Sequence, residues 1–191
     1  GILLSVVLAG GTLAAAEKVD ARALYPSLAP LYEDLHAHPE LSLQETATAG
    51  KLAARLTALG FEVTSGVGKN GVVGVLRNGT GSTVMLRTDM DALPVEEKTG
   101  LKYASRVTAT SSAGDKVPVM HACGHDVHMT VWVGAATWLA KNRGAWSGTL
   151  LMVGQPAEEV GAGARAMLDD GLFTRFPRPD FALAIHEADM P

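Results

Sequence analysis

The chain has 191 residues, a formal net charge of -4 at pH 7 and 47% hydrophobic residues. That is enough apolar material for one compact core, or for a core that another segment must complete. Its acidic balance gives no basic stripe, and only 5% of its residues are aromatic, which argues against a groove for nucleic acid. The composition therefore favours a globular protein that acts on small molecules.

Residues 1–16 form the first distinct segment. They carry no charged side chain, and an apolar run over residues 2–8 is followed by small residues that end at Ala16. This order is typical of the core and cleavage end of a secretory signal, with a buried amino-terminal strand as the alternative. The run is too short to span a bilayer. We therefore predict a signal-peptide remnant over residues 1–16, a folded part over residues 17–191, and an exported protein.

Two amphipathic helices are predicted next. Apolar residues recur every three or four positions over residues 20–37, which is the spacing of a helix with one buried face. Ser42 followed by Glu45 matches a capping box, in which each residue bonds the other's backbone. A second helix is therefore predicted from Ser42 until Gly60 ends it.

The pattern then changes to short β-rich runs separated by turn residues. The runs are residues 61–63, 72–76, 83–86, 149–153 and 180–185. Predicted helices over residues 127–139 and 163–172 alternate with them, whereas residues 106–116 read as a polar loop. The alternation indicates an α/β fold.

The segment from His121 to His128 holds three histidines, an aspartate and the only cysteine of the chain. Thiolate and imidazole are ligands of zinc and neighbouring transition metals, so the segment predicts half of a metal site. Cys123 and His125 are one residue apart, and a turn or extended backbone can direct both side chains to one point. The alternatives are a small buried hydrophobe for Cys123, and a supporting or helix-capping role for His121 and His128.

Acidic residues and one more histidine follow three of the predicted strands. These residues are Asp89, Glu158, Glu159 and His186. Because ligands of α/β proteins gather at the carboxyl ends of strands, the four side chains should meet at one edge. An extended backbone would turn the two glutamates to opposite sides, so that one could hold a metal while the other activates water.

Simpler explanations exist for the same residues. A Glu-Glu pair is common at a solvated helix start, and Asp89 fits an Asp turn before Pro94. Arg87 fits a structural ion pair better than a site for a substrate carboxylate.

Other chemistries have weak support. A cysteine protease would need a thiolate free of metal, and the chain has no Gly-x-Ser-x-Gly elbow. The glycine-rich stretch over residues 66–74 lacks the Lys-Ser/Thr ending of a phosphate-binding loop.

Five ordered segments resemble the metal-dependent amidohydrolases and carboxypeptidases that include hippurate hydrolase, N-acyl-amino-acid hydrolases and plant auxin-conjugate hydrolases. The segments are residues 34–42, 86–95, 120–128, 154–159 and 184–186. The resemblance implies a three-layer α/β/α catalytic domain with a mixed sheet, interrupted by a smaller lid domain. Since that lid often serves dimerisation, the resemblance also implies a homodimer.

The resemblance assigns roles to residues named above. It implies two divalent metal ions, which can be zinc, manganese, nickel or cobalt. The ligands it implies are Cys123, His125, Glu159 and His186. Glu158 is implied as the general base, and Asp89 as a support for the ligands. The implied reaction hydrolyses the amide bond of an N-acyl amino acid or short peptide and releases a carboxylic acid and an amino acid.

Chains of that family are considerably longer, so residues 17–191 match the amino-terminal portion of the catalytic domain. The lid and the last catalytic segment are expected after His186, and without them we expect an open apolar sheet edge and no activity. Residues 187–189 differ from the family's usual continuation, which leaves the acyl-group subclass open. Two rival functions remain: a dipeptidase or carboxypeptidase using the same site, and a catalytically silent metal-binding fragment.

Overall fold

The structure is a computed structural model that describes residues 20–187. The predicted signal segment, residues 1–16, lies outside the described residues, so the signal and export stay predictions. Within residues 20–187, no helix combines the length and the apolar character needed to cross a bilayer.

A mixed sheet of five strands forms the middle layer. Its strands are β1 (Glu62–Val67), β2 (Gly71–Asn78), β3 (Thr83–Asp89), β6 (Gly148–Gln155) and β7 (Phe181–Ala184), while β4 (Thr108–Thr110) and β5 (Lys116–Pro118) form a separate hairpin. The spatial order is β1-β2-β6-β3-β7. β2 is antiparallel to β1 and β6, whereas β3 is parallel to β6 and β7. The prediction of a loop over residues 106–116 is therefore wrong, since the hairpin begins there. It was missed because strands of three residues are too short to show an alternating pattern.

Helices cover both faces of the sheet. They are α1 (Ala21–Ala37), α2 (Thr46–Ala58), α3 (His125–Lys141), α4 (Gly163–Asp169) and α5 (Leu172–Arg175), with a 3-10 turn at Arg143–Ala145. Helices α1, α2 and α3 share one apolar core with β2 and β6, and α4 and α5 pack on the opposite face through Met167 and Leu172. The predicted three-layer α/β/α class with a mixed sheet is confirmed.

Strand β7 lies at one edge of the described sheet. Its side chains Phe181 and Leu183 are 61% and 57% exposed, and Ile185 beyond it is 65% exposed. These apolar side chains are exposed within the described part of the chain, and the open edge expected from the sequence stays a prediction.

The predicted capping box at the start of α2 is wrong. Glu45 precedes the helix without a side-chain capping bond, and the Ser42 hydroxyl donates instead to Asp91 Oδ2 at 2.6 Å. Ser42 therefore binds a partner that is distant in sequence, and the two residues do not form the local capping pair that their spacing suggested.

Glu40 caps α2 from outside the helix. Its carboxylate accepts hydrogen bonds from the backbone N–H groups of Ala47 at 3.1 Å and Thr48 at 2.7 Å. We expect Glu40→Ala to lower the free energy of unfolding by about 1 kcal/mol, because both N–H groups lose their acceptor. Urea unfolding measures the change, and Glu33→Ala on the exposed side of α1 should cost less than about 0.5 kcal/mol. Equal losses in the two variants would contradict the capping role.

Candidate functional site

The parallel strands bring the predicted residues to one edge of the sheet. The register pairs Asp89 at the end of β3 with Gln155 at the end of β6, so the acid pair Glu158 and Glu159 follows at the same edge. His186 follows β7, and α3 begins beside them at His125.

His125 lies at the centre of this edge and is fully buried. Its Nε2 lies 3.8 Å from Asp89 Oδ2 and 3.7 Å from one carboxylate oxygen each of Glu158 and Glu159. Its Nδ1 lies 3.5 Å from Asp91 Oδ1, and all these distances are too long for a well-formed hydrogen bond. Both ring nitrogens of His125 and Oε1 of Glu159 therefore have no hydrogen-bond partner among the described residues, which makes them candidate ligand atoms, because buried polar atoms are rarely left unpaired.

Carboxylates determine the protonation of His125. Burial lowers its pKa, but Asp91, Asp89 and Glu159 outweigh that effect and leave the pKa raised above its ordinary value. The ring therefore lies in a strongly negative environment, which also favours a bound cation.

Cys123 reaches the same cluster through a tight turn. Gly124 adopts a left-handed backbone with a φ of 74° between Cys123 and His125, a conformation that glycine takes without strain. Ligand atoms of Cys123, His125 and Glu159 lie within 4.8 Å of one another. The Cys123 Sγ also lies 3.6 Å from His186 Nε2, so all four ligands predicted from the sequence lie close together.

The Cys123 thiol is held in its protonated form. Burial raises its pKa to about 11, and the carboxylates of Glu159, Glu158 and Asp89 add to the shift. Forming a thiolate at neutral pH would need a nearby positive charge. Cys123 is therefore a poor free nucleophile, which agrees with the weak sequence support for a cysteine protease.

A second group of candidate ligands adjoins the first. It consists of Asp89, His125, His128 and His186, whose ligand atoms lie within 4.8 Å of one another. The backbone N–H of Glu187 donates to His128 Nε2 at 2.9 Å, so the His128 proton lies on Nδ1, which donates to Asp89 Oδ1 at 2.8 Å. His128 thereby links Asp89 to the segment after β7, an arrangement that is compatible with the supporting role named above as an alternative to ligation.

Arg87 also contacts Asp89. Its Nη1 donates to Asp89 Oδ2 at 2.8 Å and its Nε donates to Gln155 Oε1 at 3.0 Å. Arg87 therefore makes an ion pair within the sheet edge, as the sequence favoured.

Asp126 belongs to a different network from its neighbour His125. Its Oδ2 lies 2.6 Å from His36 Nδ1, and His36 Nε2 lies 3.0 Å from Glu97 Oε1. Burial lowers the pKa of His36, but the two carboxylates outweigh it and raise that pKa. This buried network joins α1 to the start of α3 and adds no side chain to the His125 cluster.

The acid pair departs from the extended backbone that the sequence suggested. Ala157 has a φ of 49° and residues 158–161 form turns, so the carboxylates of Glu158 and Glu159 converge on His125 rather than diverge. Their exposure differs, however, because the Glu158 side chain is 36% exposed and that of Glu159 only 17%.

Asp91 is a site residue for which the sequence analysis gave no role. Its Oδ1 accepts the backbone N–H of Glu158 and its Oδ2 accepts that of Glu159, each at 3.0 Å. Burial raises the pKa of Asp91, but the His125 ring, the Ser42 hydroxyl and these N–H groups outweigh it and bring the pKa to about 2. Asp91 therefore remains a carboxylate and orients the acid pair.

The signal for Asp91 was present in the sequence. It stands two residues after Asp89, and residues two apart on an extended backbone face the same side. That spacing would have placed both carboxylates beside the predicted ligands.

Comparisons with known proteins fit this geometry. A family model described as peptidase family M20/M25/M40 matches residues 85–191, which is more than half of the chain. The chain is 46% identical over 143 residues to hippurate hydrolase of Campylobacter jejuni, which covers 74% of this chain and 34% of that protein. It is also 40% identical over 173 residues to thermostable carboxypeptidase 1 of Saccharolobus solfataricus. That match covers 88% of this chain and 41% of that protein.

A solved structure is also similar. The YXEP protein of Bacillus subtilis, described as a dinuclear metal binding peptidase from the M20 family, matches with a TM-score of 0.77 and 35% identity. The match covers 91% of this chain and 45% of that one. The chain thus spans under half the length of each of these three relatives.

His121 lies in neither ligand group. It is 4% exposed, and neither ring nitrogen has a hydrogen-bond partner within residues 20–187. Burial lowers its pKa from 6.5 to about 4. The ring is therefore neutral at pH 7 in the folded protein.

The low pKa of His121 predicts a loss of stability in acid. Between pH 6.5 and about 4 the unfolded chain binds a proton at this position and the folded chain does not, so the stability present above pH 6.5 is lost as the pH falls. The loss can reach roughly 3 kcal/mol. We expect His121→Leu to become more stable relative to the parent protein over this range, as measured by urea unfolding with a chelator present. Parallel pH profiles of the two proteins would contradict the assignment.

Proposed function

The chain belongs to peptidase family M20/M25/M40, and on that premise we propose that it supplies the metal-binding part of an active site that hydrolyses amide bonds of N-acyl amino acids or short peptides. The observation that carries the proposal is the convergence of Cys123, Glu158 and Glu159 on the buried, unpaired imidazole of His125. The hippurate hydrolase and carboxypeptidase relatives support the substrate class.

The donor set fits a divalent transition metal. The proposed ligands are Cys123, His125, Glu159 and His186. They combine a thiol, two imidazoles and a carboxylate, a mixture that suits zinc and also nickel or cobalt, while the carboxylates suit manganese. The unpaired atoms of His125 and Glu159 are the specific observation that such an ion would explain. Two ions are proposed because the similar Bacillus subtilis protein is described as dinuclear.

The two glutamates suit different tasks. Bound divalent ions would polarise the scissile carbonyl and lower the pKa of water. Glu158 is the more exposed of the pair, and we assign it to accept the proton of the attacking water and deliver it to the leaving amine. Glu159 is the more buried and is assigned to ligation, while Asp89 and Asp91 orient the imidazoles and the acid pair.

Variants of Cys123 and Glu158 test these assignments. We expect Glu158→Gln to keep bound metal and to lose about 10²- to 10⁴-fold in kcat, because only the proton acceptor is removed. Cys123→Ala should lose metal affinity as well as activity, because it removes a proposed ligand. Elemental analysis and kinetics on N-acyl amino acids measure both effects in the complete protein. The control is Glu96→Gln, which lies in an exposed ion pair with Lys98 and should keep both metal and activity. Full activity in Glu158→Gln or Cys123→Ala would refute the site.

A pocket beside the acid pair favours acylated substrates over peptides. It has a volume of about 400 Å³, and Leu41, Leu43 and Val160 are among its walls. Glu159 is the one charged residue among those that line it. Because Glu159 is assigned to the metal, it would not be free to pair with the charged amino terminus of a dipeptide, whose burial without a partner is costly. An uncharged acyl group is therefore the better fit.

A substrate panel separates the rival functions. We expect kcat/KM to be at least about tenfold higher for N-acetyl and N-benzoyl amino acids than for dipeptides with the same carboxyl-terminal residue, in line with discrimination by an apolar pocket. A chelator should abolish the activity and added metal should restore it. Preference for dipeptides would support the peptidase alternative. No turnover of any substrate by the metal-loaded complete protein would support the silent alternative.

A further inference from the structure

Glu45 is a buried carboxylate outside the His125 cluster. It has 0% exposure and stands directly before α2. Its Oε1 accepts the backbone N–H of Ala157 at 2.7 Å, and its Oε2 accepts Asn70 Nδ2 at 3.0 Å. Glu45 thus joins the start of α2, the turn between β1 and β2, and the loop that carries the acid pair.

A carboxylate is costly to bury, so its partners decide whether the arrangement is stable. Glu45 has two hydrogen-bond donors, and the amino-terminal end of α2 adds a favourable electrostatic contribution. Ala157 in turn needs an acceptor for its backbone N–H, because the residue is fully buried. Without Glu45 that buried N–H would stay unsatisfied, which is unfavourable.

Three consecutive N–H groups of the acid loop, residues 156–159, bind buried carboxylates. Ala157 donates to Glu45, while Glu158 and Glu159 donate to Asp91. The loop is also closely packed, since a Cβ added to Gly163 would lie 1.5 Å from the Pro156 carbonyl oxygen. The backbone of the acid loop is therefore fixed from two sides.

We propose that Glu45 is a positioning residue that sets the direction of the Glu158 and Glu159 side chains through the backbone of the acid loop. Asp91 contacts His125 directly, whereas the hydrogen bonds of the Glu45 side chain go to Ala157 and Asn70. Any effect of Glu45 on the site therefore passes through the loop. The catalytic consequence rests on the proposed function, but the positioning of the loop does not.

Substitutions at Glu45 in the complete protein test the inference. Glu45→Ala removes the acceptor of the Ala157 N–H, Glu45→Gln keeps an acceptor oxygen at the same reach, and Glu45→Asp keeps the charge but shortens the side chain. Glu40→Ala is the matched control, because Glu40 also accepts two backbone N–H groups beside α2 and makes no hydrogen bond to the acid loop.

Three measurements are needed for each variant. They are amide hydrogen exchange of residues 157–160, affinity for added zinc in competition with a chelator, and kcat and KM on an N-acyl amino acid. We expect Glu45→Ala and Glu45→Asp to speed exchange in the acid loop and to lose about 10- to 100-fold in zinc affinity or kcat, with KM changed less. Glu45→Gln should stay within about threefold of the parent protein, since its oxygen still accepts the Ala157 N–H and its NH2 group can donate to Asn70 once the Asn70 amide turns over.

The outcomes separate positioning from general stability. Exchange, zinc affinity and kcat that change no more in Glu45→Ala than in Glu40→Ala would overturn the inference. If Glu45→Ala does not fold, Glu45→Asp decides, and parent-like values in that variant would also overturn it. Faster loop exchange and weaker zinc binding in a protein that hydrolyses none of the substrates would uphold the positioning role and refute the proposed function.

Discussion

The carboxylate of Asp91 joins parts of the molecule that the sheet alone brings only near each other. β3 and β6 are parallel neighbours paired from Thr83 with Thr149 to Asp89 with Gln155, which puts their ends at one level. Asp91 then binds the backbone of Glu158 and Glu159. Because these bonds hold the acid pair beside His125, the placement of both glutamates in the cluster depends on a buried carboxylate just beyond β3.

The layers and most site residues could be predicted from the sequence because their signals are local. Hydrophobic periodicity indicated the helices and strands, and residue type indicated Cys123, His125 and the acid pair as metal-site chemistry. Parallel strand ends then gave a physical reason for distant residues such as His186 to meet.

The connections between these elements could not be predicted in the same way. The spacing of three residues between Ser42 and Glu45 suggested a local helix cap. That cap does not form, because Ser42 binds a residue 49 positions away and Glu45 binds one 112 positions away. The left-handed Ala157, which makes the acid pair converge, has no signature in residue type. Such features depend on long-range partners, which single-sequence patterns do not reveal.

The backbone of the acid loop has a further chemical consequence. Many hydrolases use backbone N–H groups as an oxyanion hole, which stabilises negative charge developing on the carbonyl oxygen of the substrate. In this loop the N–H groups of Ala157, Glu158 and Glu159 already bind Glu45 and Asp91. Residues 157–159 therefore form a frame for two carboxylates, and in the proposed hydrolysis the developing oxyanion would have to be stabilised by a cation or by another part of the protein.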